Sequence, residues 1–217
     1  MEKSIVFDFD GTLLNSMPPL TKQATKLISD HYLVSGEFAY REYTQTVGLS
    51  FEEQLFSIFG EQEAEKHGEV ADIFYEIQKN IYAAAGLHEG VREELSLLKY
   101  LSVPFAIVSS THGDLVRQAI RRWELPTPSH VMGRDAGPKG WQLTALKGAG
   151  YRVFIGDTPI DGQIAEDARI PFIGVEHTFP RSVFREADLV SEMDLHDAVA
   201  VALKGTESTS LRTSQSS

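Results

Sequence analysis

Ser4-Ile5-Val6-Phe7-Asp8-Phe9-Asp10-Gly11-Thr12 is the stretch that decides the fold. Its β-branched and aromatic half predicts a buried strand, and its second half an acidic loop at that strand's carboxyl end. Similar runs recur at 103–108, 151–155 and 171–175, with a weaker one at 130–132. From residue 90 onward they alternate with helical patterns. Leu95, Leu98 and Leu101 keep a spacing near 3.6 after Gly90, and Leu115, Ala119 and Ile120 do so after Gly113. Strands alternating with helices predict an α/β fold with a doubly wound parallel sheet.

Residues 15–87 interrupt this rhythm. Leu20, Ala24, Leu27 and Ile28 share one helical face, as do Val70, Phe74, Ile77 and Ile81, with a turn at Gly48 and an apolar stretch at 55–59 between them. No strand pattern occurs there. The expected organisation is a core from 1–14 and 88–204, a helical cap inserted over 15–87, and a Ser/Thr-rich disordered tail over 205–217.

The composition narrows the chemistry. The chain has 217 residues, a net charge of −11 and no cysteine. Disulfides, thiolate nucleophiles and Cys-ligated metals are excluded, so any metal must be held by oxygen or imidazole. The negative surface disfavours nucleic acid and anionic membranes as partners. No apolar run approaches the ~18 residues of a membrane span, and the first strand meets Asp8 too early for a signal peptide. The expectation is a soluble, cytoplasmic monomer without a nucleic-acid or membrane partner. His31, His67, His88, His130, His177 and His196 show no metal-ligand spacing, and Trp123 and Trp141 read as packing residues.

Three further pieces sit at predicted strand ends. Ser109 and Ser110 close the 103–108 strand, followed by Thr111 and His112. Lys139 follows a Gly137-Pro138 turn, and Gly156-Asp157-Thr158-Pro159-Ile160-Asp161 follows the 151–155 strand. Singly these are ordinary helix caps, solvated lysines or turns. In order, each at a strand end, and behind Asp8-Phe9-Asp10-Gly11-Thr12, they form a constellation.

That constellation resembles the haloacid dehalogenase superfamily, matching its four motifs from Asp-x-Asp through Ser and Lys to Gly-Asp-x-x-x-Asp. The insert lies where the family places its helical C1 cap, and the chain looks most like the phosphoglycolate-phosphatase-like and β-phosphoglucomutase-like branch. The resemblance implies Asp8 as nucleophile, forming an aspartyl-phosphate, and Asp10 as general acid and then base. It implies Mg²⁺ held by Asp8, the Asp10 carbonyl and Asp157, with Asp161 supporting the site at one remove or through water. Ser109, Ser110 and Lys139 would bind the transferring phosphoryl group, approached also by the Gly11 and Thr12 backbone.

Within the family, Asp10 argues for phosphoryl transfer over dehalogenation and over phosphonate cleavage. Leu20 stands where the mutases carry a cap histidine, and the loop 46–51 has no arginine. The expectation is therefore a Mg²⁺-dependent phosphatase acting on a small phosphorylated metabolite. The alternatives are a β-phosphoglucomutase-like phosphomutase and a receiver-like phosphoacceptor. Gln45, Gly48, Leu49 and Ser50 are assigned to cap specificity, and His112 either faces the site or caps a helix. Asn15 falls at the hinge.

Overall fold

A computed structural model describes residues 4–204; the segment 205–217, read above as a disordered tail, lies outside the described residues. Six strands form one parallel sheet: β1 (Ile5–Phe7), β2 (Phe105–Val108), β3 (His130–Met132), β4 (Val153–Gly156), β5 (Phe172–Val175) and β6 (Ser191–Glu192). Their order is β3-β2-β1-β4-β5-β6, with Phe7 in register with Ile107 on one side and Ile155 on the other. The strand order reverses direction at β1 and β4, and open α/β sheets bind ligands outside such a switch point.

Ten helices accompany the strands among the described residues. Four lie in the insert: α1 (Met17–Tyr32), α2 (Gly36–Thr46), α3 (Phe51–Phe59) and α4 (Ala64–Ala84). The others are α5 (Val91–Tyr100), α6 (Gly113–Arg122), α7 (Lys139–Gly148), α8 (Pro159–Asp167), α9 (Arg181–Glu186) and α10 (Leu195–Lys204). Successive strand residues point to opposite faces, and both faces are covered. Ile5 and Phe7 pack with Leu95, Leu98, Val116, Ile120, Leu195 and Val199, from α5, α6 and α10. Val6 packs with Leu143, Leu146 and Ala165, from α7 and α8. Burial on both sides is why these strands read as continuous apolar runs, and it is the doubly wound arrangement expected from the alternation.

The insert closes an apolar cluster of its own, in which Leu20, Ala24 and Ile28 of α1 meet Tyr43, Phe51, Leu55, Val70 and Phe74. Its entry and exit strands cross side by side. The Asn15 N–H donates to the Gly86 carbonyl (2.9 Å) and the His88 N–H to the Leu13 carbonyl (3.0 Å), around an antiparallel bridge of Leu14 with Leu87. Asn15 is exposed in this ribbon. The C-terminal end of α4 reaches past it, so Tyr82 belongs to the cluster under the sheet and not to the cap's own.

Two features differ from expectation. The short β6 has no apolar run of its own and forms by pairing with β5. Trp141 is 73% exposed in the first turn of α7. Its neighbours Lys139, Gln142 and Leu143 occupy the buried face, so position 141 points outward by helical phase. Among the described residues no helix is long and apolar enough to cross a membrane.

Candidate active site

Asp8 leaves the carboxyl end of β1 at the switch point, its N–H donating to the Ile155 carbonyl of β4 (2.8 Å). Asp157 follows β4, and Asp161 lies in the first turn of α8, where Thr158 caps the helix by accepting from the Asp161 N–H (3.0 Å). Two strand ends and one helix start thus bring Asp8, Asp157 and Asp161 together. All three are buried, with ligand oxygens within 4.8 Å of one another.

Lys139 opens α7 and reaches into this cluster. Its Nζ donates to Asp8 Oδ1 and to Asp161 Oδ1, each at 2.7 Å. Asp161 also accepts from the Thr158 hydroxyl (2.7 Å), while Asp157 accepts from Thr12 (2.9 Å) and Thr178. Burial lifts the Asp8 carboxyl well above the usual range; Lys139 opposes this, and Asp161 and Asp157 add to it. Burial and the neighbouring Asp161 push Asp157 up to about 7, against the hydroxyls of Thr178 and Thr12. Lys139 behaves oppositely: burial disfavours its ammonium, but Asp161 and Asp8 outweigh burial and hold it protonated.

These directions agree once the charges are compared. Three buried carboxylates face one ammonium, which leaves excess negative charge in a site shielded from water. A hard divalent cation fits that deficit, because every available donor is a carboxylate oxygen. Gly11 is required beside it: its φ is +81°, and a Cβ there would sit 2.0 Å from Asp157 Oδ2.

Asp10 stands apart from this cluster. Its Oδ1 accepts from Ser16 (2.6 Å), and its Oδ2 accepts from Thr111 (2.8 Å) and from the Tyr82 hydroxyl. Gln78 of α4 donates in turn to Thr111 (2.8 Å). The second acid of the motif is therefore held from the hinge, from α4 and from the loop after β2. Tyr82 and Gln78 were not singled out in the sequence, where the apolar face of this helix was read from Val70, Phe74, Ile77 and Ile81; the structure buries both.

A pocket above Asp8 collects most of the predicted residues. Asp8, Asp10, Gly48, Leu49, Ser50, Ser109, Ser110 and Lys139 line it, together with Tyr43, Gln54, Phe74, Tyr75 and Gln78 from the cap. Ser109 is buried, its hydroxyl accepting from the Thr111 N–H (3.0 Å). Ser110 donates to the Gly48 carbonyl (2.6 Å), joining core to cap loop. Ser50 caps α3 in a reciprocal box with Glu53. Gly11 and Thr12 lie beneath Asp157 and not on the pocket wall. Gln45 is exposed and outside the pocket; Gln54, one helix further on, faces it instead. His112 caps α6, accepting from the Asp114 N–H (3.3 Å), and faces a separate cleft.

Residues 5–133 match the family described as haloacid dehalogenase-like hydrolase. No curated protein matches the sequence. Among solved structures, the chain is similar to a predicted phosphatase from Clostridium acetobutylicum, at 17% identity and a TM-score of 0.76, covering 94% of this chain and 100% of that one. It is also similar to a predicted phosphoglycolate phosphatase from Haemophilus somnus 129pt, at 20% identity and a TM-score of 0.65, over 92% and 97% of the two chains. A candidate β-phosphoglucomutase from Thermotoga maritima matches at 18% identity and a TM-score of 0.62, over 94% and 99%. At these identities the likeness is one of fold.

Proposed function

We propose that this chain, which belongs to the haloacid dehalogenase-like hydrolases, is a Mg²⁺-dependent phosphatase of a small phosphorylated metabolite. The observation that carries the reading is the separation of its two motif acids. Asp8 is buried against Lys139 in the charge cluster, while Asp10 is held apart by hydroxyl donors. A nucleophile and a proton-transfer group need such different surroundings.

Lys139 occupies Asp8 Oδ1, and Oδ2 has no protein donor among the described residues. In this mechanism a carboxylate oxygen of Asp8 attacks phosphorus, forming the aspartyl-phosphate as the bond to the leaving oxygen breaks. Asp10 gives that oxygen its proton. Asp10 then takes a proton from water, whose oxygen attacks the same phosphorus and returns Asp8 as carboxylate. Lys139 and Ser109 hold phosphoryl oxygens through both halves. Mg²⁺, held by Asp8 and Asp157 with Asp161 in support, would neutralise phosphoryl charge that the carboxylates otherwise repel.

Leu20 lines the pocket and offers no hydrogen-bonding group to an attacking sugar hydroxyl, which favours water as the second acceptor over a mutase cycle. Hydrolysis of p-nitrophenyl phosphate or acetyl phosphate with Mg²⁺ tests the reading. Turnover is expected in the wild type and to fall at least ~1,000-fold in Asp8→Asn, as loss of a covalent nucleophile implies. Activity that survives this substitution rejects the proposed mechanism.

A further inference from the structure

Among the described residues, Arg134 is a cation without an anion. It opens the short turn Arg134–Ala136 between β3 and α7, and its backbone N–H donates to the Thr111 carbonyl (3.0 Å), tying it to the loop that holds Asp10. Its Nε is buried and has no hydrogen-bond partner. None of the ion pairs among the described residues, from Lys26–Asp30 to His196–Glu94, includes it. What it touches is an aromatic face: its Cζ lies 3.6 Å from the centroid of Tyr75 on α4. Stacking uses the flat face of a guanidinium and leaves the N–H donors around its edge free.

Arg134 borders the cleft that His112 faces, where Asp72, Glu76 and Asp114 lie, and it also borders a cleft of about 210 Å³ that continues from the active site. Ser50, Tyr75, Ser110 and Lys139 line both this cleft and the pocket over Asp8. Two acidic residues, Glu52 and Glu53, also border it, and neither forms an ion pair with Arg134. Glu53 Oε2 accepts from the N–H and hydroxyl of Ser50 (2.8 and 2.7 Å), and Glu52 Oε1 lies beside Gly68 on α4. Lys139 is itself bound to Asp8 and Asp161. Of the two cations that border this cleft, Arg134 is thus the one with no ion-pair partner among the described residues.

We propose that Arg134 binds an anionic group at the far end of the leaving group, so that the preferred substrate is a phosphomonoester carrying a second anion, carboxylate or phosphate. This rests on the phosphatase reading and adds the substrate class to it. Arg presents a planar fork that pairs with either anion. On a chain of net charge −11, such a substrate needs a local cation of this kind. The cap loop 46–51 has no arginine, and the core supplies one from the segment just before Lys139.

The test compares esters differing in the distal group: ethyl phosphate, 2-phosphoglycolate and 1,3-propanediol bisphosphate, with p-nitrophenyl phosphate as reference and Mg²⁺ present. The wild type is expected to favour at least one of the two anion-bearing esters over ethyl phosphate by ~10-fold or more in kcat/KM, the effect of one charge-assisted contact. In Arg134→Gln the KM for that ester should rise ~10- to 100-fold, with kcat and the reference substrate unchanged within about two-fold. Arg134→Lys should recover part of the loss through its charge. Which anion responds identifies the distal group, and either response supports the proposal. A wild type with no preference for either anion overturns it, and this comparison needs no variant to fold. Equal losses on all substrates in Arg134→Gln also overturn it, making Arg134 a latch on Tyr75. Hydrolysis of none of the esters, the reference included, rejects the phosphatase reading itself.

Discussion

At the scale of single residues, Lys139 is the group on which the charge cluster depends. It is 7% exposed and bonds two of the three clustered carboxylates. Removing one partner of a buried ion pair leaves uncompensated charge, a larger loss than the pair's own net stabilisation. Lys139→Met should therefore destabilise the protein by ~3–5 kcal/mol in urea unfolding and abolish hydrolysis. A loss under ~1 kcal/mol would mean that the carboxylates shed their charge by taking up protons instead. Asp8, Asp10 and Asp157 were readable because each is a charged group just past an apolar strand, and Lys139 because it follows a Gly-Pro turn at the start of a helix. Tyr82, Gln78 and Arg134 were not. Their side chains meet the site only after α4 and the turn after β3 fold against the core, and such contacts leave no local pattern.

At the scale of elements, the cap loop between α2 and α3 is where the insert meets the core. Gly48 has a φ of +116°, and a Cβ there would come within 2.9 Å of Thr158 Oγ1 and 3.0 Å of Ile160. Its carbonyl also receives the Ser110 hydroxyl. Gly48→Ala is expected to prop this contact apart, raising KM for a substrate enclosed by the cap several-fold and lowering Tm by roughly 2–10 °C, since a side chain at that φ costs ~1–3 kcal/mol. Steady-state kinetics with a thermal melt checks both halves, and an unchanged KM would show that the loop does not close on the substrate. The helices α1 and α4 were legible from their apolar faces. The strand β6, two residues long, was not, because its pairing with β5 and not its side chains makes it a strand.

For the molecule as a whole, the excess acid in the site links stability to metal and to pH. Asp157 rises from an ordinary 3.8 to about 7, so between those values the folded metal-free protein holds a proton that the unfolded chain has released. Its contribution is therefore present at the acid end of that window and lost as pH rises through about 7. The Asp8 shift has the same sign. A cation must displace that proton at pH 5 but not at pH 8. The rise in Tm on adding millimolar Mg²⁺ should accordingly be larger at pH 8, roughly 5–10 °C at a hundredfold excess over Kd, and should vanish with EDTA. Melts unaffected by Mg²⁺ at both pH values would remove the metal from the proposed mechanism.

The sequence by itself determined the architecture, and it pointed to the polar residues that gather at its strand ends. A strand buried on both faces must be apolar throughout, the insert's helices must each carry an apolar stripe, and an acid pair at a strand end announces itself by composition. It also led to the expectation of an inserted helical segment over 15–87, through the change from strand-and-helix alternation to helical faces alone. Only the tertiary structure decided which groups hold Asp10, that Gln54 and not Gln45 faces the pocket, and that Arg134 stands unpaired beside it. The reason is physical. Periodicity reports which side of an element is buried, whereas these contacts join residues far apart in the chain whose meeting depends on how cap and core are set against each other.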